Sequence, residues 1–291
     1  MRRRVTSRDR RRRVVERAAA VALAAMCLAS PACAAQVHVR VRAGVTLHDV
    51  APSALRNANG SPRVADTVRY EAVWRRIAPG LVRWSHDTRL GIDPGVAAAL
   101  LAKESGGDSL AVSAAAALGI AQLTAAADTD LRAMATSDRF AWMRREIHRW
   151  PRSPLVHDAP ASAATIDSLL AAGVLTSRNE YLFDPALGAR AAVFWLRMLV
   201  DKWTTNTWPG GYGSFARRAI AAGHPLDDDQ LANLVIVSYN RGYLVVHDLV
   251  ARYGAQWTAH LADLGPAGIE AADYLDRVRS YALLFDGVRP P

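Results

Sequence analysis

Apolar positions along this chain recur at three- and four-residue spacing far more often than at the alternate spacing of a strand, so the pattern predicts helix upon helix. Val96, Ala97, Leu100 and Leu101 form one stripe of a helix that Asp93-Pro94 opens, as an N-cap with proline at N1, and that runs to about Glu104. Asp184-Pro185 opens a second helix in the same way, to about Lys202. Asp227-Asp228-Asp229 starts a third, through Leu231 to Tyr239, and Pro266 precedes a last one marked by Ile269, Tyr274, Val278 and Leu284. Earlier in the chain, Tyr70, Val73, Trp74 and Ile77 also keep helical spacing, after a loop at Asn57-Ala58-Asn59-Gly60-Ser61-Pro62. Strand-like alternation is confined to Val37-His38-Val39-Arg40-Val41, and no period of repeats appears. The predicted class is mainly α.

Composition changes this picture at one end. With 291 residues and 51% apolar composition the chain can bury a substantial core. Its net charge of +9 invites a nucleic-acid reading, but residues 1–35 hold nine arginines against Asp9 and Glu16, a net of +7 that leaves +2 for the rest. No basic stripe interleaved with aromatics lies elsewhere, so nucleic acid is not an expected partner. The first 35 residues read instead as an export signal: an Arg-rich start, the apolar run Ala18 to Ala29, and small residues through Ala34-Ala35 suited to a signal peptidase. The apolar run is too short to span a bilayer, and no later stretch is long and uncharged enough. Sec-type export to the periplasm is the expectation, in preference to a twin-arginine signal or an uncleaved anchor. Cys27 and Cys33 both lie in this leader, so the mature chain needs no disulfide. Ser30-Pro31-Ala32 makes a poor lipidation box before Cys33. Scattered histidines without His-Glu-x-x-His spacing, and no Gly-x-Ser-x-Gly elbow, imply neither a metal nor any cofactor.

One carboxylate stands out from the helical pattern. Glu104 follows Leu100 by four residues and Leu101 by three, which puts it on the core-facing side at the last turn of its helix, where Gly106-Gly107 stop the helix. A carboxyl desolvated there resists ionisation and can keep its proton near neutrality, the condition of a general acid. The same position also suits a helix-end glutamate that reaches solvent or pairs with an arginine.

A family resemblance decides between these. Glu104-Ser105, then Ala111-Val112-Ser113, then Ala117-Leu118-Gly119-Ile120-Ala121-Gln122, resembles the catalytic signature of the soluble lytic transglycosylase domain. Three further blocks resemble that family in the same order: residues 184–203, the helix after the signature; Val237-Ser238-Tyr239-Asn240-Arg241-Gly242, similar to its Ala-Tyr-Asn-x-Gly motif; and residues 270–285, similar to its terminal helix. The sequence departs from the family at Ala116, where glycine is usual and a positive φ would be strained for alanine, and at Ala121-Gln122-Leu123-Thr124-Ala125, where the family usually has Met-Gln-x-Met-Pro.

The resemblance implies a lysozyme-like, goose-type helical fold over residues 91–285, after a signal peptide at 1–35 and an N-terminal segment at 36–90, with a tail at 286–291. It implies cleavage of the β-1,4 bond between N-acetylmuramic acid and N-acetylglucosamine in peptidoglycan, leaving 1,6-anhydromuramoyl ends, with Glu104 as sole acid and base. Tyr239 would stand near Glu104 or the reacting sugar; Ser105, Ser113, Gln122 and Asn240 would contact the glycan; Tyr274 would close the far wall and hydrogen-bond Glu104. Two insertions are expected, at about 129–180 and 203–229. The first carries a helical stripe of Phe140, Met143, Ile147 and Trp150 and a second helix from Thr165 to Leu175; these either pack on the outside or, through an exposed Trp150-Pro151-Arg152-Ser153-Pro154, form a lid over the groove. The second offers Trp208-Pro209-Gly210-Gly211-Tyr212-Gly213, with aromatics suited to sugar faces. Two other readings stay open: a muramidase that hydrolyses the same bond, with Asp108 or Asp128 holding water, and an inactive glycan-binding component of a secretion or conjugation apparatus. Asp108 otherwise reads as a turn residue. The chain is read as a monomer.

Overall fold

Asp93 and Asp184 each spend one carboxylate oxygen on the first free amides of a helix, and these two caps place the two central helices. Asp93 Oδ1 accepts from the amides of Gly95 and Val96 at 2.7 and 3.2 Å and starts α1, Pro94–Ser105. Asp184 Oδ1 accepts from Ala186 and Leu187, both at 2.8 Å, and starts α4, Pro185–Thr204. Between them lie α2 (Ala125–Met134), α3 (Ala141–Ile147) and a 3₁₀ turn (Glu180–Phe183). After α4 come α5 (Gly213–Ile220), α6 (Asp228–Arg241), α7 (Tyr243–Tyr253), a long 3₁₀ segment (Gly254–Leu264) and α8 (Pro266–Asp286). This computed structural model describes Gly80 and residues 90–286, apart from 109–110, 114, 135–140, 148, 151–166, 174, 177–178 and 207–210. The described elements are helical, with only isolated bridges joining Val112, Leu118 and Leu123, so the fold is mainly α. Among the described residues no helix is long and apolar enough to cross a membrane.

The helix α1 departs from the single stripe expected of it. Gly95 through Ala102 are all buried, so the helix is the axis of the fold and not a surface element. Its alanines make this feasible: an evenly apolar helix with small side chains has no polar face to keep wet and lets its neighbours approach on every side. The helix α8 packs extensively on α1, and α4 also touches it. Burial of Leu100 and Leu101, both fully enclosed, contributes about 1.5–3 kcal/mol each. Inside α4, Arg197 is hydrogen-bonded to Asp201 one turn on, and its Nη1 donates to the Leu90 carbonyl at 3.1 Å. The segment that leads into α1 is therefore tied to the core of α4.

Asp227 caps α6 with a reciprocal box, its side chain accepting from the Gln230 amide at 2.7 Å while Gln230 Oε1 accepts from the Asp227 amide at 3.1 Å. The helices α2, α5 and α7 and the 3₁₀ segment are not among the helices expected from the sequence. The segment read as a second insertion thus contains a helix, α5, whose Ala216 and Ile220 are buried. In the segment read as the first insertion, α3 lies against α4: Met143 and Ile147 are buried, Trp142 meets the Phe194 ring edge-on at 5.4 Å, and Arg190 holds Glu146 at 2.7 and 3.0 Å. Trp150, read as exposed, is packed instead, 4.8 Å from the Tyr181 ring and stacked on Phe194 at 5.7 Å. Residues 167–171 are helical, within the second helix expected there. The leader, the alternation at 37–41, the helical spacing at 70–77, Phe140, residues 151–154 and 208–210 and the tail beyond Asp286 lie outside the described residues.

Candidate functional site

The end of α1 is where burial stops and chemistry begins. Gly106 caps the helix in the left-handed conformation, φ 61°, and Gly107 follows at φ 83°. Glu104 stands two residues before this cap. Its carboxyl accepts a short hydrogen bond from the Tyr274 hydroxyl, delivered by α8 from 170 positions away. Desolvation pushes the Glu104 pKa from an ordinary 4.5 up to about 7, and the charge of Glu270 adds to the rise; the Tyr274 hydrogen bond and nearby Lys103 oppose it. At neutral pH the group is thus poised between its two forms. The Tyr274 hydroxyl itself is pushed well above its ordinary value by burial and by the Glu104 charge, so it remains a donor. Removing that donor with Tyr274→Phe takes away a bond made to the ionised carboxylate. The Glu104 pKa should then rise, and a pH titration of any activity that needs the protonated acid should show its alkaline limb moved upward.

Between Gly106 and Thr124 the described residues form a hydrogen-bonded loop that walls this carboxyl. Ser105 Oγ donates to the Ile120 carbonyl at 2.9 Å, lies 3.3 Å from that of Leu101 and accepts from the Gly107 amide at 3.0 Å. Ser113 Oγ accepts from the Ala117 amide at 3.0 Å. Gln122 Nε2 donates to the carbonyls of Ala111 at 3.0 Å and Gly119 at 2.8 Å. The Tyr239 hydroxyl, brought by α6, donates to the Ala121 carbonyl at 2.7 Å. Burial pushes Tyr239 well above the ordinary tyrosine value, with the Glu104 charge next in effect. Four of the residues singled out in the sequence therefore hold the loop itself, each satisfying backbone groups that secondary structure leaves unpaired.

Two non-glycine residues of this loop, Ala116 at φ 56° and Gln122 at φ 47°, sit in the left-handed region. Alanine at a position where the sequence comparison leads one to expect glycine is strained by about 1–2 kcal/mol. Glycine would relieve that but cost about 0.5–1 kcal/mol more in conformational entropy. The substitution Ala116→Gly should therefore stabilise the protein by roughly 0.5–1 kcal/mol, seen as a higher thermal midpoint in calorimetry.

Asn240 lies in the last turn of α6 beside Tyr239, and its Oδ1 is buried without a hydrogen-bond partner in the protein. Such an acceptor left unmet costs about 1–3 kcal/mol, a cost that a bound donor removes. The two carboxylates named for a water-holding role lie otherwise. Asp108 is exposed in the turn after Gly107. Asp128 is buried and fully engaged, taking the Tyr181 hydroxyl at 2.5 Å and the Arg132 guanidinium at 2.9 and 3.2 Å. Lys103, Glu270 and Tyr181 shape the electrostatics here and escaped the sequence reading. Lys103 could have been found as the neighbour of Glu104, whereas Glu270 and Tyr181 carry no local signal. Among the described residues no group of three or more His, Cys, Asp or Glu side chains is placed to hold a metal ion.

Residues 85–142 match the family model described as Transglycosylase SLT domain, a span that holds α1, Glu104 and the whole walling loop. No curated protein and no solved structure matches the chain.

Proposed function

We propose, from the match of residues 85–142 to the transglycosylase SLT domain model, that this chain is a peptidoglycan lytic transglycosylase that cleaves the β-1,4 bond between N-acetylmuramic acid and N-acetylglucosamine. The observation that carries this reading is the Glu104 carboxyl with its pKa near 7, held by one tyrosine at the end of a buried helix. In its protonated form Glu104 gives its proton to the glycosidic oxygen as the C1–O bond breaks, so the N-acetylglucosamine leaves as an alcohol. The muramoyl 2-acetamido group shields the cationic C1 in place of a carboxylate nucleophile. Glu104, now ionised, takes the proton of the muramoyl C6 hydroxyl while that oxygen bonds to C1. The proton returns to its starting place, no water is consumed, and a 1,6-anhydro ring closes the product.

The other residues serve this step by position. Tyr274 holds the carboxyl and supplies a donor when it is ionised. Ser105, Ser113, Gln122 and Tyr239 fix the wall that a glycan would lie against, and Asn240 offers an acceptor for an acetamido N–H. A hydrolase on the same scaffold would need a second carboxylate to hold water, and the engagement of Asp128 with Tyr181 and Arg132 speaks against it. The export signal read in residues 1–35 supports the periplasm as the place of this reaction.

Mass spectrometry of the muropeptides that the purified protein releases from sacculi tests this directly. Anhydromuramoyl ends are the expected product. Reducing ends would replace the reading with a muramidase, and intact sacculi that retain the protein would replace it with a glycan-binding scaffold.

A further inference from the structure

An arginine ties α6 to α8 near each end of α6, and one of these ties lies beside the acid. At the start of α6, Arg279 of α8 donates to Asn233 Oδ1 at 2.6 Å and to Asp229 Oδ1 at 3.0 Å. At the other end Arg241, the last residue of α6, reaches the first turn of α8. Its Nε and Nη2 donate to the Ala267 carbonyl at 3.0 and 2.6 Å, and Nη2 also donates to Glu270 Oε2 at 3.1 Å. Gly242, at φ 83°, turns the chain away immediately afterwards. The Arg241 side chain is 22% exposed and that of Glu270 63%, so the ion pair is partly wet and contributes little to stability by itself. What it fixes is position. Arg241 also stands at the variable place in the Ala-Tyr-Asn-x-Gly pattern, where the family resemblance assigns no role.

Glu270 stands one turn before Tyr274 on the same side of α8, and the Tyr274 hydroxyl is bonded to Glu104. Two residues before Arg241, Tyr239 holds the loop at the Ala121 carbonyl. One end of α6 therefore fastens both walls of the acid, the loop through Tyr239 and α8 through Arg241. The charges that bear on Glu104 are Lys103 from α1 and Glu270 from α8, and the hydroxyls of Tyr239 and Tyr274 beside it stay protonated. Lys103 lies 3.9 Å from Asp273, which Arg277 holds at 2.6 Å. We propose that Arg241 is a positioning residue for the acid–base step: it pins the first turn of α8 beside Glu104 and balances the Glu270 charge there. Glu104 has to give a proton and take one back in a single turnover, so its two forms must stay close in free energy. An unbalanced Glu270 charge favours the protonated form, and Arg241 limits that bias. The proposal rests on the transglycosylase reading for the reaction that it serves.

Titration of the Glu104 carboxyl by ¹³C NMR tests it without any need for turnover, the signal being assigned by its loss in Glu104→Gln. In Arg241→Gln the midpoint should move up by about 0.5 pH unit, the size of effect expected from one solvent-exposed charge. Arg241→Lys keeps the charge and should leave the midpoint in place. The double variant Arg241→Gln with Glu270→Gln, which removes both charges, should return it. Arg279→Gln is the control, because it cuts a tie of the same kind between the same two helices at the far end of α6. It should leave the midpoint unchanged. Release of anhydromuramoyl ends at pH 8 should be about threefold faster in Arg241→Gln, following its larger protonated fraction, with the half-saturating concentration of soluble glycan strands unchanged. An unmoved midpoint in Arg241→Gln would overturn the proposal. So would a downward shift, the sign of water reaching a loosened acid, an equal shift in Arg279→Gln, or a double variant that stays shifted. The expected titrations in a protein that releases no anhydromuramoyl ends would keep the role of Arg241 and remove the transglycosylase, which separates the two failures.

Discussion

Glu104→Gln is expected to lower the release of anhydromuramoyl ends by about 10²- to 10⁴-fold, the usual contribution of a positioned acid and base, and at the same time to make the protein more stable. The two effects have one cause. The folded protein raises the pKa of this carboxyl from 4.5 to about 7, so folding favours its protonated form. Below pH 4.5 both folded and unfolded chains hold the proton and the group costs nothing. As pH rises towards 7 the unfolded chain gives up the proton first, and the folded state loses stability. Above pH 7 the whole penalty is present, about 3 kcal/mol at roughly 1.4 kcal/mol per pH unit. Glutamine carries no charge and still accepts the Tyr274 hydroxyl. The variant should therefore unfold at higher temperature than the unsubstituted protein at pH 8, by roughly 6–12 °C for a domain of this size, and at the same temperature at pH 4. Parallel calorimetry at the two pH values checks it. A variant equally or less stable at pH 8 would mean that Glu104 is not held desolvated. Cleavage by the unsubstituted protein should fall as pH rises through about 7, since the first step needs the protonated carboxyl.

The second large effect is steric. Gly119 lies in the walling loop at φ 68°, and a Cβ built on it would fall 1.8 Å from the Leu182 carbonyl oxygen and 2.7 Å from its carbon. Those atoms are backbone, in the 3₁₀ turn that leads into α4, and they cannot swing aside as a side chain would. Gly119→Ala should therefore push the loop off the core and cost about 3–5 kcal/mol, at the upper end of single substitutions. Gly173 supplies the comparison, because it has the same φ of 68° with open space around it. Gly173→Ala should cost only the backbone strain, about 1–2 kcal/mol. Urea denaturation of the two variants would measure the difference as separate midpoints at a common slope. Near-equal losses would show that Leu182 is not packed against the loop.

How much of this was legible in the sequence differs from element to element. The Asp-Pro pairs announced α1 and α4 because a capping carboxylate and a proline leave little freedom over where a helix starts. The complete burial of α1 was not legible, since alanine lacks the contrast that marks a stripe. The helices α5 and α7 were missed for opposite reasons: one follows a run of glycines, and the other is parted from α6 only by Gly242. Glu104, Tyr239 and Tyr274 could be named from the order of family motifs, but what their side chains touch was only partly within reach. The hydroxyl of Tyr239 is bonded to a backbone carbonyl, at Ala121, and every residue has one of those. Likewise the bonds from Arg241 to Ala267 and Glu270 join α6 to α8, and no spacing along the chain reveals them.

The packing of α8 along α1 makes the buried acid the joint property of two distant parts of the chain. Tyr274, which holds Glu104, lies 170 positions further along the chain, and Glu270, which tunes it, stands on the same helix. Until α8 docks on α1, Glu104 has neither the Tyr274 donor nor the Glu270 charge beside it.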